Sequence, residues 1–129
     1  MIAIDANAVV ALLVDDADLG ASSRDLYAQH DLAAPELLHY EVTSVLRKLC
    51  QLKVVNERVA EHALHDLALL RVSSVPFGDI AARMWELRHN LSAYDAAYVA
   101  VAELFDVKLL TFDHRLRHSV GPFCTFIDS

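Results

Sequence analysis

Ile2-Ala3-Ile4-Asp5-Ala6-Asn7-Ala8-Val9-Val10-Ala11-Leu12-Leu13 joins two kinds of segment at one acid. Ile2 to Ile4 is a short unbroken apolar run, the pattern of a strand buried on both faces, and Ala6 to Leu13 is helix-like. Asp5 stands where the strand gives way to the helix. That is the opening unit of a sheet whose strands alternate with helices.

The same alternation continues along the chain. Asp15-Asp16-Ala17-Asp18-Leu19-Gly20 reads as a polar loop, followed by a short helix near Ser22 to Gln29. Leu32 to Ala34 is a second strand stopped by Pro35. Glu36 to Cys50 is a helix with one apolar arc of Leu38, Val42, Val45, Leu46 and Leu49. At about 100° per residue, Glu41 falls about 40° past Val45, at the edge of that arc near Lys48. Asn56 caps a further helix to Leu70, Val72 to Val75 is a third strand ended by Pro76 and Gly78, and Asp79 to His89 turns Ile80, Met84 and Leu87 inward. Ser92 to Phe105 has almost no polar face: Tyr94, Tyr98, Val101 and Phe105 make one stripe and alanines fill the rest, as in a buried helix. Lys108 to Phe112 is a fourth strand delivering Asp113, and Phe123 to Ile127 a last edge strand after Gly121 and Pro122. Short strands alternating with helices predict an α/β fold, a parallel sheet covered on both faces, in one domain spanning 1–129.

The bulk numbers narrow the functional classes. A chain of 129 residues fits one core, burying about two-thirds of its unfolded surface. Its net charge of −7 excludes a broadly cationic nucleic-acid face, so any nucleic acid would need a narrow basic rim together with bound metal. Apolar residues make up 55%, which leaves room for a patch facing a partner subunit. Cys50 and Cys124 form no C-x-x-C pair and read as reduced thiols of a cytoplasmic protein. The start lacks the basic residues of a signal peptide, and the apolar run Ala8 to Val14 is too short for a bilayer, so the expectation is a soluble protein with no membrane partner.

Four acids, Asp5, Glu41, Asp95 and Asp113, border apolar segments instead of lying on charged faces. A carboxylate withdrawn from water costs several kcal/mol unless it is paired, hydrogen-bonded or bound to a cation. Each has a plainer explanation. Asp5 suits a helix cap, Asp95 completes a capping box with Ser92, and Glu41 matches an ordinary flank acid paired with Arg47 or Lys48. One cation site accounts for all four, and two divalent ions would offset their charge. Hard oxygen donors select Mg²⁺ or Mn²⁺. In open parallel sheets ligands bind beyond the carboxyl ends of strands, where Asp5 and Asp113 both fall.

Four stretches carry a likeness: Ile4-Asp5-Ala6-Asn7; Ala34-Pro35-Glu36-Leu37 leading to Tyr40-Glu41-Val42; Leu91-Ser92-Ala93-Tyr94-Asp95-Ala96-Ala97-Tyr98; and Leu110-Thr111-Phe112-Asp113-His114-Arg115-Leu116. With them the chain resembles the PIN-domain nucleases and, among these, the toxin half of VapBC-type toxin-antitoxin pairs. The resemblance implies a five-stranded parallel sheet with an acidic pocket at one end, in which Asp5, Glu41, Asp95 and Asp113 hold metal. It adds Asn7 as a hydrogen-bonding group within the site and Thr111 as a group orienting Asp113. It further implies endoribonuclease activity leaving 5′-phosphate and 3′-hydroxyl ends, a cognate small antitoxin, and a homodimer. Arg47, Lys48, Arg115 and Arg117 are candidates for a rim that positions RNA.

Competing chemistry is thin. His62 and His65, with Glu61 and Asp66, have zinc-compatible spacing without a third ligand, which suits a solvated face. His114 and His118 lie one turn apart near Asp113 and read as a surface pair. Three glycines cannot build a phosphate cradle. Asp5-Ala6-Asn7-Ala8-Val9 faintly suggests an aspartyl-nucleophile phosphatase, but Asn7 replaces its second acid. A non-catalytic partner-binding module on the same fold is the other alternative.

Overall fold

The computed structural model describes residues 1–127. Asp128 and Ser129, the last positions of the expected 1–129 domain, lie outside the described residues. Four parallel strands form one sheet in the order β3-β2-β1-β4, with β1 Ile2–Ile4, β2 Leu32–Pro35, β3 Val72–Val75 and β4 Leu109–Leu110. β1 is buried throughout because it is central: Ala3 pairs with Ala33 on one side and Leu109 on the other. β3 lies at one edge, which explains its exposed Ser73 and Ser74. Pro35 is tolerated as the last residue of β2. The neighbouring Glu36 N–H donates to Val75 O, so the missing proline N–H faces the side where β1 has already ended.

The chain steps from β1 through β2 to β3 in one direction, then crosses back to place β4 on the far side of β1. The crevice between the ends of β1 and β4 is thus the switch point of the topology. Helices α1 Ala6–Val14, α2 Asp18–Gln29, α3 Leu37–Gln51 and α4 Glu57–Leu69 pack together, with α1 touching all three others. Helices α5 Phe77–Glu86 and α6 Ala93–Phe105 form a second layer, where α6 lies against β1, β2 and β4. In such units a helix runs antiparallel to the strands beside it. The first turns of α1, α3 and α6 therefore meet at the carboxyl rim of the sheet, as does the short α7, His114–Arg117.

Most expected elements are present, with instructive departures. α3 buries Leu38, Val42 and Leu46 and half-buries Val45 and Leu49, and Asn56 Oδ1 caps α4 by accepting from Val59 N at 2.8 Å. α5 ends at Glu86, short of His89. α6 is buried all round only from Ala96 to Ala102; Tyr94 and Phe105, assigned to its inward stripe, are 60% and 41% exposed. α2 begins at Asp18, inside the expected loop. Gly20 is helical, and a Cβ there would stand 1.9 Å from Asp15 O and 2.7 Å from Ala11 O, so the glycine serves close helix contact and not a turn.

The expected fifth strand is not formed among the described residues. Phe126 makes a single parallel bridge to Leu109, with Leu109 N donating to Thr125 O and Ile127 N to Leu109 O, both at 3.0 Å. Phe123 is 84% exposed and lies 4.6 Å from the Arg83 guanidinium, held by a cation–π contact in place of a core position. β4 is also shorter than Lys108 to Phe112. After Leu110 the Thr111 hydroxyl satisfies the chain locally, accepting from Asp113 N at 3.1 Å, so ladder pairing stops.

Candidate active site

Asp5 follows the last residue of β1 and caps α1. Its Oδ1 accepts from Ala8 N at 3.0 Å, and its Oδ2 accepts a short hydrogen bond from the fully buried Thr111 hydroxyl. Asp5 is 7% exposed. Burial pushes its pKa up to about 6, a rise reinforced by Asp95 and Asp113 and opposed by the Thr111 and Ala8 bonds. Both oxygens are thus pinned, yet each retains a second lone pair. Thr111 ties the ends of β1 and β4 together at this point: its hydroxyl donates to Asp5 and accepts from the Asp113 backbone. Asp113 caps α7, with Oδ1 accepting from Arg115 N at 2.9 Å and Leu116 N at 3.4 Å, while its Oδ2 lies 3.7 Å from the exposed Arg115 guanidinium.

Asp95 comes from the opposite layer, in the first turn of α6. Its backbone N–H is capped by Ser92 Oγ at 3.1 Å, but its carboxylate takes no backbone N–H in return, so the expected capping box is half made. Desolvation raises its pKa, Asp113 raises it further, and Ser92 and Arg115 lower it. Glu41, one turn into α3, is half-buried with a raised pKa caused first by desolvation and also by Asp95. It forms no ion pair with Arg47 or Lys48. Its Oε1 is buried without a hydrogen-bond partner of good geometry, as is the hydroxyl of Tyr98. Tyr98 nonetheless faces Glu41: the phenol lowers the acid's proton affinity, while burial and then Glu41 raise the phenol's own pKa. Tyr98 was legible in the sequence only as core. Its spacing from Asp95, one turn along α6, is the signal that links it to the site.

The structure therefore brings Asp5, Asp95 and Asp113 into mutual electrostatic range and couples Glu41 to Asp95. It does not gather every expected residue. Asn7 is exposed and makes no hydrogen bond to the acids. Lys48 is exposed two turns beyond Glu41, and Arg47 turns away to line a groove with Glu57, Glu61 and Leu64 of α4. Arg115 remains beside Asp113, with Arg117 half-buried in the same short helix. His62, His65, His114 and His118 are exposed.

Among the described residues no three His, Cys, Asp or Glu side chains are already drawn into a metal-ligating cluster. Like-charged carboxylates with one exposed arginine among them hold apart, so open spacing is what electrostatics dictates for the protein alone. Two observations fit a hard divalent cation. The four acids offer only oxygen donors, and the buried Glu41 Oε1 has only the Tyr98 phenol facing it, short of good hydrogen-bond geometry. Asp95 and Asp113 raise the proton affinity of Asp5, and Asp95 that of Glu41, which a cation would reverse.

Comparison with known proteins identifies the family and the fold. Residues 2–120 match the family described as PIN domain. The chain is 40% identical over 124 residues to a VapC ribonuclease of Mycobacterium bovis, covering 96% of this chain and 94% of that protein. PAE2754 from Pyrobaculum aerophilum superposes with a TM-score of 0.64 at 28% identity, covering 89% of this chain and 81% of that one. VapBC2 from Rickettsia felis, solved bound to a DNA fragment from its promoter, shares the fold with a TM-score of 0.62 at 16% identity, over 88% of this chain and 89% of that one. This chain belongs to the PIN-domain family and, within it, to the VapC group.

Proposed function

We propose that this protein is a ribonuclease toxin of the VapC type whose phosphodiester hydrolysis depends on Mg²⁺ or Mn²⁺. The observation that carries the reading is the convergence of Asp5, Asp95, Asp113 and Glu41 at the β1/β4 switch point around a single exposed arginine, above all Glu41 Oε1, buried with only the Tyr98 phenol facing it. Asp5, Glu41 and Asp95 would hold the cation, with Asp113 at its margin. When bound, a divalent ion neutralises phosphate charge and lowers the pKa of water at the site.

The chain's own residues do the rest. Thr111 and the α1 amide fix both oxygens of Asp5, so this acid presents one orientation without reorganising. Burial and neighbouring charge raise the proton affinities of Glu41 and Asp95, which suits these acids to accept a proton from water. Tyr98 closes the floor beneath Glu41 and excludes bulk water. No residue is required as a covalent nucleophile.

The same reading includes a small cognate antitoxin, a homodimer and a cytoplasmic location. The ribonuclease part is supported by the sequence relatives named VapC ribonuclease and the antitoxin by the VapBC pair that shares the fold, while the homodimer and the location rest on the resemblance alone. Among the described residues no helix is long and apolar enough to cross a membrane. Incubating partner-free protein with structured RNA and Mg²⁺ or Mn²⁺ tests the activity, with Asp5→Asn and Asp95→Asn as controls. Cleavage that survives both substitutions would sink the mechanism. A small protein encoded in the neighbouring reading frame is expected, and its co-expression should silence cleavage and yield a stable complex.

A further inference from the structure

Two exposed tyrosines flank the acid rim, each immediately before an acid: Tyr40 before Glu41 on α3, and Tyr94 before Asp95 on α6. They are 77% and 60% exposed. Both line one recess of about 330 Å³ whose other walls are Leu37, Ser44, Val45 and Glu41 itself. Successive residues on a helix point about 100° apart. While the acids turn toward one another, the two rings therefore stand beside them at the mouth of the site. The recess leads past Leu37 and Tyr94 into a second apolar groove that reaches Phe77, itself 66% exposed.

An acidic chain that acts on RNA must hold a polyanion beside its own carboxylates. Cations are scarce there: Arg47 faces α4, Lys48 is two turns away, and Arg115 already lies 3.7 Å from Asp113. Beyond what a bound cation and Arg115 supply, affinity is expected from contacts that do not depend on charge. Base–aromatic stacking is such a contact, independent of sequence and substantial per base.

We propose that Tyr40 and Tyr94 form a stacking subsite for unpaired bases next to the scissile phosphate, so that the substrate is RNA with its bases splayed out of a helix. Continuity with the acid site argues for this occupant: Glu41 is a wall of the recess, and a base stacked there belongs to a nucleotide whose phosphate lies at the rim. Paired bases cannot reach the rings. The inference rests on the ribonuclease reading and names its substrate class.

The test is steady-state cleavage of a single-stranded RNA, and of the same RNA lacking the base beside the cut, by wild type, Tyr40→Leu, Tyr94→Leu and Tyr94→Phe. Each leucine variant should raise KM on the order of tenfold with kcat within about threefold, and Tyr94→Phe, which keeps the ring, should match wild type. Base removal should raise KM for wild type and have little further effect in the leucine variants. Leucine variants whose KM stays within about twofold of wild type, or an undiminished base-removal penalty in them, would overturn the subsite. So would conversion of a dimer to a monomer by the leucine variants, measured by light scattering, because the face would then be an interface between copies. If wild type cleaves no RNA with either metal, the ribonuclease reading falls and the subsite with it; if wild type cleaves and the leucine variants match it, only the subsite falls.

Discussion

Glu103 on α6 and the acids at the sheet rim are the same chemical group in two different settings. Glu103 accepts a bidentate pair from Arg83, at 3.0 Å from Nε to Oε2 and 2.9 Å from Nη2 to Oε1, and a further bond from Phe123 N at 3.3 Å. Its side chain is 14% exposed and fully satisfied by the protein, and Arg83 passes the contact on to Gly121 O at 2.9 Å. Eight residues earlier on the same helix, Asp95 faces Asp113 and Glu41 with only Ser92 and Arg115 opposing the repulsion. Where an acid's work is structural, this fold supplies a cation. At the rim several acids share one exposed arginine, Arg115, and that imbalance separates a site from a staple.

Replacing the rim acids should break the contrast most severely. Asp5→Asn and Asp95→Asn are each expected to lower RNA cleavage by about a thousandfold, about 4 kcal/mol of barrier, while circular dichroism remains that of the folded protein. Glu41→Gln should follow closely. An Asp95→Asn protein cleaving within about tenfold of wild type would leave the acids as caps and nothing more.

The next effect concerns stability. The folded chain keeps a proton on Asp5 up to about pH 6, whereas the ordinary value is 3.8. Between those values the folded state binds more protons than the unfolded one, so metal-free stability should fall as pH rises through that window, by about 3 kcal/mol from Asp5. Asp95 and Glu41 shift in the same direction and add to the slope. Chemical denaturation in chelator at pH 4 and pH 7 measures it. Asn at position 5 should flatten the curve, and millimolar Mg²⁺ or Mn²⁺ should restore stability at pH 7 for the wild type alone, by about 2.7 kcal/mol at a hundred times the dissociation constant. A wild-type curve that is flat or rises across this window would remove the electrostatic argument.

How far all this could be read in advance depends on whether a residue's role is local. Asp5 was legible because a strand-to-helix junction is written in consecutive residues, and Asp95 because Ser92 three residues before it marks a helix start. The parallel sheet followed from alternation alone. Long-range choices left no such trace. Gly20 looks like loop chemistry until α1 is seen packed against it, and Phe123 looks like an edge strand until Arg83 takes its ring. Tyr98 reads as core by period, and only the return of α6 to the rim opposite α3 sets it against Glu41. Arg47 and Lys48 are neighbours in sequence, yet the helix turns Arg47 toward α4.

Thr111 sharpens the comparison further, because it acts on Asp5 as Arg83 acts on Glu103 but with a neutral donor. Thr111→Val removes that donor and leaves the carboxylate's charged form less favoured, by about 1.5 kcal/mol or roughly one pH unit. The acid limb of the cleavage–pH profile should move up by that amount, while Thr111→Ser leaves it in place. A profile unmoved by Val would show that the hydroxyl only closes the turn to Asp113.

Glu103→Gln should have the smallest effect. With its oxygen in the place of Oε1 the amide still accepts from Arg83 Nη2 and Phe123 N, but its nitrogen cannot accept from Arg83 Nε, so one bond of the partly exposed pair and its charge assistance are lost, about 1 kcal/mol. In a chain of 129 residues that amounts to a melting point lower by about 3–6 °C, with the segment around Gly121 loosened first because Arg83 holds it. Cleavage per folded molecule should not change, since the pair lies between α5 and α6, away from the rim. A loss of cleavage comparable to that of Asp95→Asn would mean that the two acids of α6 act together, and the division between staple and site would fail.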